Sequence, residues 1–377
     1  MYDDNTKASI SGLIDGQPPE MAQVDFIAHV VVMPIVLAIG MLNQCLNICT
    51  LLHLPSGCFM FLKASAIADI LSIASFVPFL LRHAQWTDRT SYFVMSYHAH
   101  VELPLINGLI TASALNIVGM TIDRYISICH PIKFFHSAES KFRSICISLG
   151  LYLAAALIYA PSIIQKKVAI VFDNSTNITT YELVRNTEVE ETRIFKGYLF
   201  FRECACRWGP VIVLVVLNLA MVRSLQRLEK RNSKWGRRST RKERISGRSI
   251  RSGREDRGRI SILLLVTSTT FIICNLPASL LSLFINRVED TLFWQIFRAI
   301  ANLLQVTSYL YNFYLYALCS SEYRQAFLQI FGCSKPESPS STGDSPTIRM
   351  SVRAKRAQVQ SVVRVEHLDE NMPLADM

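Results

Sequence analysis

Residues 260–285, ISILLLVTSTTFIICNLPASLLSLFI, form a run of 26 residues without a single charged side chain. A bilayer core of about 30 Å is crossed by about 20 helical residues. In hydrocarbon, a chain segment must satisfy its own backbone hydrogen bonds, which a helix does. A signal peptide would sit at the N-terminus, and buried helices of soluble proteins rarely reach this length uncharged. The run is therefore expected to cross a membrane. The pattern recurs, giving seven candidate spans at about 27–52, 59–82, 101–129, 144–164, 198–225, 260–285 and 291–318. A chain that is 50% hydrophobic fits this better than a soluble domain of its size. The fifth segment is interrupted by Arg202, Glu203 and Arg207, and only 208–222 is free of charge. Its upper part is expected to face a wet cavity, because charge facing lipid is costly.

Charge sets the orientation. Residues 223–259 hold fifteen Lys or Arg against four acids, a net +11 in a chain whose total is +10. Basic loops stay in the cytoplasm, so the connection between spans five and six is expected inside, with the N-terminus outside. A nucleic-acid patch is the competing explanation of such a run, and its position between two spans argues against that partner. The expected organisation is an extracellular N-terminus (1–26), a seven-helix membrane domain (27–331) containing the basic cytoplasmic loop (223–259), and a Ser/Pro-rich cytoplasmic tail (332–377) expected to be disordered. Asn174 and Asn177 open two N-glycosylation sequons in the loop between spans four and five, which this orientation places outside. There is no internal repeat of the kind that builds many transporters. Intramembrane acids are nearly limited to Asp69, which argues against a transport path, and the spans offer no catalytic pair, so an intramembrane enzyme is not expected.

Seven spans with Asp123-Arg124-Tyr125 closing the third resemble the rhodopsin-like (class A) G-protein-coupled receptors, over residues 27–331. The resemblance implies an all-α seven-transmembrane bundle, located in the plasma membrane and coupled to a heterotrimeric G protein. It assigns coupling and activation roles to Asp123, Arg124, Tyr125, Pro131, Ile132, Pro210, Pro277, Phe271, Asn312 and Tyr316. Asp69 and Ser113, with Asn312 and Ser308, match a pocket that holds a sodium ion in the family, with a water network without an ion as the equal alternative. No other cofactor is implied. Span one should contribute an amide there, and Asn43 is the expected one, with Gln44 the alternative by gapless alignment on Leu46-Asn47-Ile48. The stretch 320–331 resembles the amphipathic helix that lies along membrane lipid, with Cys333 a palmitoylation site. Phosphorylation of the tail would create charge for arrestin.

The departures from the family pattern are specific. Phe313 replaces the proline after Asn312, Asn275 replaces a tryptophan before Pro277, and Asn218 stands where a tyrosine is common. Together with VELPLINGLITASAL and YAPSIIQKKV these resemble invertebrate FMRFamide and myosuppressin receptors, so a neuropeptide ligand is implied. A chemosensory or orphan receptor for a small molecule is the alternative, distinguished by a narrow apolar cavity instead of a broad one with charged rims. Ile106 stands where amine receptors carry an aspartate, and Val306 where opsins carry a lysine. The usual outer disulfide is expected to be absent, because Ala99 occupies the span-three position and 165–197 has no cysteine. Glu102, His100, Asn107, Arg202, Glu203 and Gln305 are the candidate ligand contacts. An amidated basic peptide would want Glu102 or Glu203, although Glu203 could instead pair with Arg207 at i, i+4. The second acid that restrains Arg124 in the family falls at Arg257, with Asp256 one place off, so raised basal activity is expected.

Overall fold

The structure is a computed structural model, and it describes residues 19–54, 56–129, 141–173, 178–236, 265–281 and 291–332. Five described helices are long and apolar enough to cross a membrane: span one (Glu20–His53), span two (Phe59–His83), span three (Tyr92–Ile126), span four (Phe142–Ile164) and span five (Arg193–Ser224). Span six is described over Leu265–Leu281. Span seven runs from Leu292 to Cys319 with 28 residues. Extended Ser320 breaks it from a ten-residue juxtamembrane helix, Ser321–Ile330. Between spans four and five an antiparallel hairpin pairs β1 (Lys166–Asp173) with β2 (Ile178–Arg185). The hairpin and Asp25 lie at one end of the bundle, called outer here. The chain divides after Ile330 into two units, and the contacts and cavities described below lie in the first.

Prolines explain where the helices depart from regularity. Each removes a backbone donor and crowds the carbonyl four residues earlier. In span one the turn ahead of Pro34 widens into a π-turn, Ile27–Val32. In span five the same happens ahead of Pro210, at Cys204–Trp208. Such turns are common at functional sites, and here the second one aims Arg207 and Cys206 inward. In span three Pro104 cannot donate to His100, and the helix breaks at Val101 between Tyr92–His100 and Glu102–Cys129. The sequence expectation of a span starting at 101 captures only the part after this break. At the start of span five, the Thr192 hydroxyl accepts from the Phe195 amide at 3.3 Å, an N-cap.

Packing follows membrane rules, in which small residues allow close approach. Ala68, Ala112 and Ala155 bring spans two, three and four together. A Cβ added to Gly119 would lie 3.2 Å from the Phe61 ring. Leu149, Leu153 and Leu157, four residues apart on span four, are each more than 60% exposed and form a lipid-facing stripe. Toward the inner end Leu51, Phe59, Leu62, Met120, Leu214, Tyr316 and Tyr323 make the main buried cluster.

Candidate functional site

Asp69 is 2% exposed in the middle of span two. A carboxylate buried this deeply has to be hydrogen-bonded. Its Oδ1 accepts from the Ser113 hydroxyl at 2.6 Å, and its Oδ2 accepts from Gln44 Nε2 at 3.0 Å and Asn312 Nδ2 at 3.1 Å. Four spans thus converge on one side chain. Ser65 joins through Ser113 at 2.8 Å. Of the two span-one candidates it is Gln44 that reaches the acid, while Asn43 donates to the Leu310 carbonyl at 3.3 Å and ties span one to span seven. Ser308 lies on the wall of an adjoining cavity of about 20 Å³, with Asp69, Ser113, Phe271, Asn275 and Asn312. That volume suits one water-sized occupant.

The network also runs inward along a path that sequence reasoning missed. Gln44 Oε1 accepts from Asn47 Nδ2 at 3.1 Å, and Asn47 Oδ1 accepts from the Tyr323 hydroxyl at 3.1 Å. Tyr323 belongs to the juxtamembrane helix and packs edge-on against Tyr316, with ring centroids 5.7 Å apart. The spacing of Gln44 and Asn47, one helical turn apart, was the available signal. Phe313, in the proline position, lies 5.4 Å from Phe327 of the same helix between ring centroids.

At the inner end Arg124 is 8% exposed, and its Nη2 lies 3.7 Å from Asp123 Oδ2, an ion-pair distance but not a hydrogen bond. Tyr125 is half-buried next to it. Cys129 and Ser224 meet at 3.1 Å between spans three and five, and Ser268 donates to Asn218 at 2.9 Å between spans six and five. Pro131, Ile132, Asp256, Arg257, Asn174, Asn177 and Cys333 lie outside the described residues.

The outer half is a charged vestibule. A cavity of about 300 Å³ is lined by Asp25, Arg82, His83, Arg89, Tyr181 and Glu182, among others. The hairpin walls it through the Tyr181 amide, which donates to the Arg89 carbonyl at 2.8 Å. Glu102 is 3% exposed and already taken: Arg82 Nη2 donates to it at 2.6 Å, and the buried His98 ring bonds it from one turn earlier. It is therefore not the open acid that a basic ligand would need. Glu203 is shared by Arg202 at 3.0 Å and Arg207 at 3.1 Å, the i, i+4 pairing being present. Arg202 also donates to Ser162 at 2.9 Å and lies over the Tyr159 and Tyr198 rings. Arg207 Nη1 donates to the Ala278 carbonyl at 3.0 Å, joining spans five and six. His100 donates to the Ile163 carbonyl at 2.7 Å, and so braces span three against the last turn of span four. Deeper, Asn107, Arg207, Pro210, Phe271, Asn275 and Gln305 line a cavity of about 30 Å³, with Gln305 donating to Asn275 at 3.4 Å. Ala99 is buried, Cys204 is an exposed free thiol and Cys206 a buried one.

A bundle with a buried carboxylate under an outer vestibule and an arginine at the inner end of the third helix has the layout of a seven-helix receptor. The model of the seven-transmembrane receptors of the rhodopsin family matches residues 45–316, and the chain belongs to that family. It is a multi-pass membrane protein of a signalling receptor class. It is 59% identical over 364 residues to a Caenorhabditis elegans protein named a probable G-protein coupled receptor, covering 95% of this chain and 88% of that one. It is 24% identical over 251 residues to the mouse neurotensin receptor type 1, covering 60% of this chain and 56% of that one. The crystal structure of squid rhodopsin superposes with a TM-score of 0.63 at 15% identity, covering 83% of this chain and 89% of that one, which is a likeness of fold.

Proposed function

We propose that this protein is a plasma-membrane receptor for an extracellular peptide, of the neuropeptide kind and FMRFamide-like in the first instance, and that it signals to a heterotrimeric G protein. The observation that carries the ligand class is the outer cavity of about 300 Å³ with a rim of Arg82, His83, Arg89 and Glu182. A chemosensory ligand would favour a narrow apolar slot. The similarity to a receptor named for neurotensin supports the same choice.

Signalling follows from differential binding: the ligand must hold the active arrangement more tightly than the resting one. The side chains beneath the vestibule couple the moving parts. Arg207 ties span five to the carbonyl of Ala278, one residue after Pro277, and Gln305 ties span seven to Asn275, two residues before it. A peptide that rearranges these contacts acts on the proline hinge of span six, below which Phe271 faces both inner cavities. Outward swing of the inner half would separate Ser268 from Asn218. Arg124 then exchanges its 3.7 Å contact with Asp123 for the G protein, with Pro131 and Ile132 as further docking residues. Arrestin would recognise the phosphorylated tail.

The Asp69 cluster fits a sodium ion. It offers hard oxygen donors from Asp69 and Ser113, and among the described residues no cationic side chain forms a salt bridge with Asp69. A bound ion would neutralise the carboxylate and hold spans two, three and seven together.

The deciding experiment is a screen of amidated peptides on cells that display the receptor. A G-protein signal from at least one peptide is expected. Silence toward all of them at verified surface expression, together with responses to small volatile or apolar molecules, would favour the chemosensory alternative.

A further inference from the structure

We propose that the outer cavity captures its ligand through a carboxylate, which is held between Arg82 and Arg89. This rests on the peptide receptor proposed above and specifies the charge that the peptide must bring.

Two acids of the outer half that a cationic ligand could seek, Glu102 and Glu203, are already neutralised from within. Glu102 is buried and bonded by Arg82 and His98. Glu203 is shared between two arginines, Arg202 and Arg207. A ligand guanidinium or ammonium would have to evict one of these partners and leave it unpaired in a half-buried site, which is costly. The cations, by contrast, have capacity left. Arg82 meets Glu102 with Nε at 3.4 Å and Nη2 at 2.6 Å, so one edge of its guanidinium fork is used. Its side chain is 25% exposed and lines the cavity. Arg89 lines the same cavity from the loop between spans two and three, and among the described residues its side chain forms no salt bridge. Of the two acids on that wall, Asp25 is engaged by His29 at 2.9 Å, and Glu182, exposed on β2, forms no salt bridge among the described residues and is the one acid there that competes with a ligand carboxylate for the arginines. Lys166, at the start of β1, adds to the positive field. Burial, and then the positive charge of Arg82, push its pKa below the usual lysine value. An arriving carboxylate would relieve this repulsion and gain charge-assisted, fork-like hydrogen bonds from arginine.

The carboxylate could be the C-terminus of the peptide or the side chain of an Asp or Glu, and the test separates them. The probe is a peptide set in which every member is made with a free C-terminal carboxylate and as the amide, and with each Asp or Glu also as Asn or Gln. Full-length receptor is displayed on cells with surface level measured, and G-protein activation is read as potency. Active peptides are expected to carry at least one carboxylate, and neutralising the one that matters should weaken potency about tenfold or more, the scale of one charge-assisted contact. A loss on amidation identifies the C-terminus, and a loss on Asn or Gln replacement identifies a side chain. Arg89→Gln, at an exposed position, should weaken the carboxylate form and leave the neutralised form unchanged. Arg82→Gln should do the same where it reaches the surface. A peptide whose neutralised forms are all as potent as the parent, or Arg89→Gln with no effect on the parent, overturns the carboxylate assignment while the peptide receptor stands. Silence toward the whole set removes both.

Discussion

Two single residues carry most of the expected function. Arg124 sits 8% exposed at the inner end of span three, with its Nη2 3.7 Å from Asp123. Arg124→Ala is expected to abolish ligand-evoked G-protein activation at unchanged surface level, measured by nucleotide exchange in membranes; a retained response would remove it from the coupling step. Asp69 receives three hydrogen bonds from three other spans. If the oxygens of Asp69 and Ser113 hold a bound sodium ion, the thermal midpoint of purified receptor should be higher in sodium chloride than in choline chloride. Asp69→Asn should erase that difference, and a sodium effect that survives the substitution would place the ion elsewhere.

At the scale of elements, the juxtamembrane helix is fastened to the bundle by polar and aromatic contacts together. Tyr323 closes the line from Asp69 through Gln44 and Asn47, and it is 1% exposed. Tyr323→Phe keeps the ring packing but leaves Asn47 Oδ1 buried without its donor, at a cost of about 1–3 kcal/mol. A lowered thermal midpoint with normal membrane insertion is expected, and an unchanged midpoint would mean that the hydroxyl is not part of the fastening. Phe313 does the aromatic part of this work. Its ring lies 5.4 Å from Phe327 and 6.2 Å from Tyr323, contacts that the ring of a proline at this position would not reach. Phe313→Pro should therefore loosen the juxtamembrane helix, seen as faster proteolysis or hydrogen exchange over 321–330; unchanged protection would contradict this role.

At the scale of the whole molecule, the basic loop predicts one orientation, and the first 27 residues, with five acids and one lysine, agree with it. An epitope at the N-terminus should be stained on intact cells and one at the C-terminus only after permeabilisation, and the reverse pattern would invert every assignment of outer and inner. Asn174→Gln with Asn177→Gln should increase electrophoretic mobility if the hairpin loop is glycosylated. The bundle itself was legible in the chain because membrane crossing depends on local composition: the uncharged run at 260–285 points to a helix wherever it packs, and its described part, 265–281, is one. The Asp123-Arg124-Tyr125 tripeptide and the lone Asp69 were legible for the same reason, since charge in an apolar run stands out by itself. What the chain alone left open were matters of pairing. Gln44 and Asn43 are adjacent amides of the same helix, and only the rotation of span one against spans two and seven puts Gln44 at Asp69 and Asn43 at the Leu310 carbonyl. Glu102 looks like a free ligand acid until Arg82, twenty residues away, folds onto it. Composition decides that a segment enters the bilayer, but the partner of a buried polar group depends on helix rotation and register, and these exist only once the helices have packed.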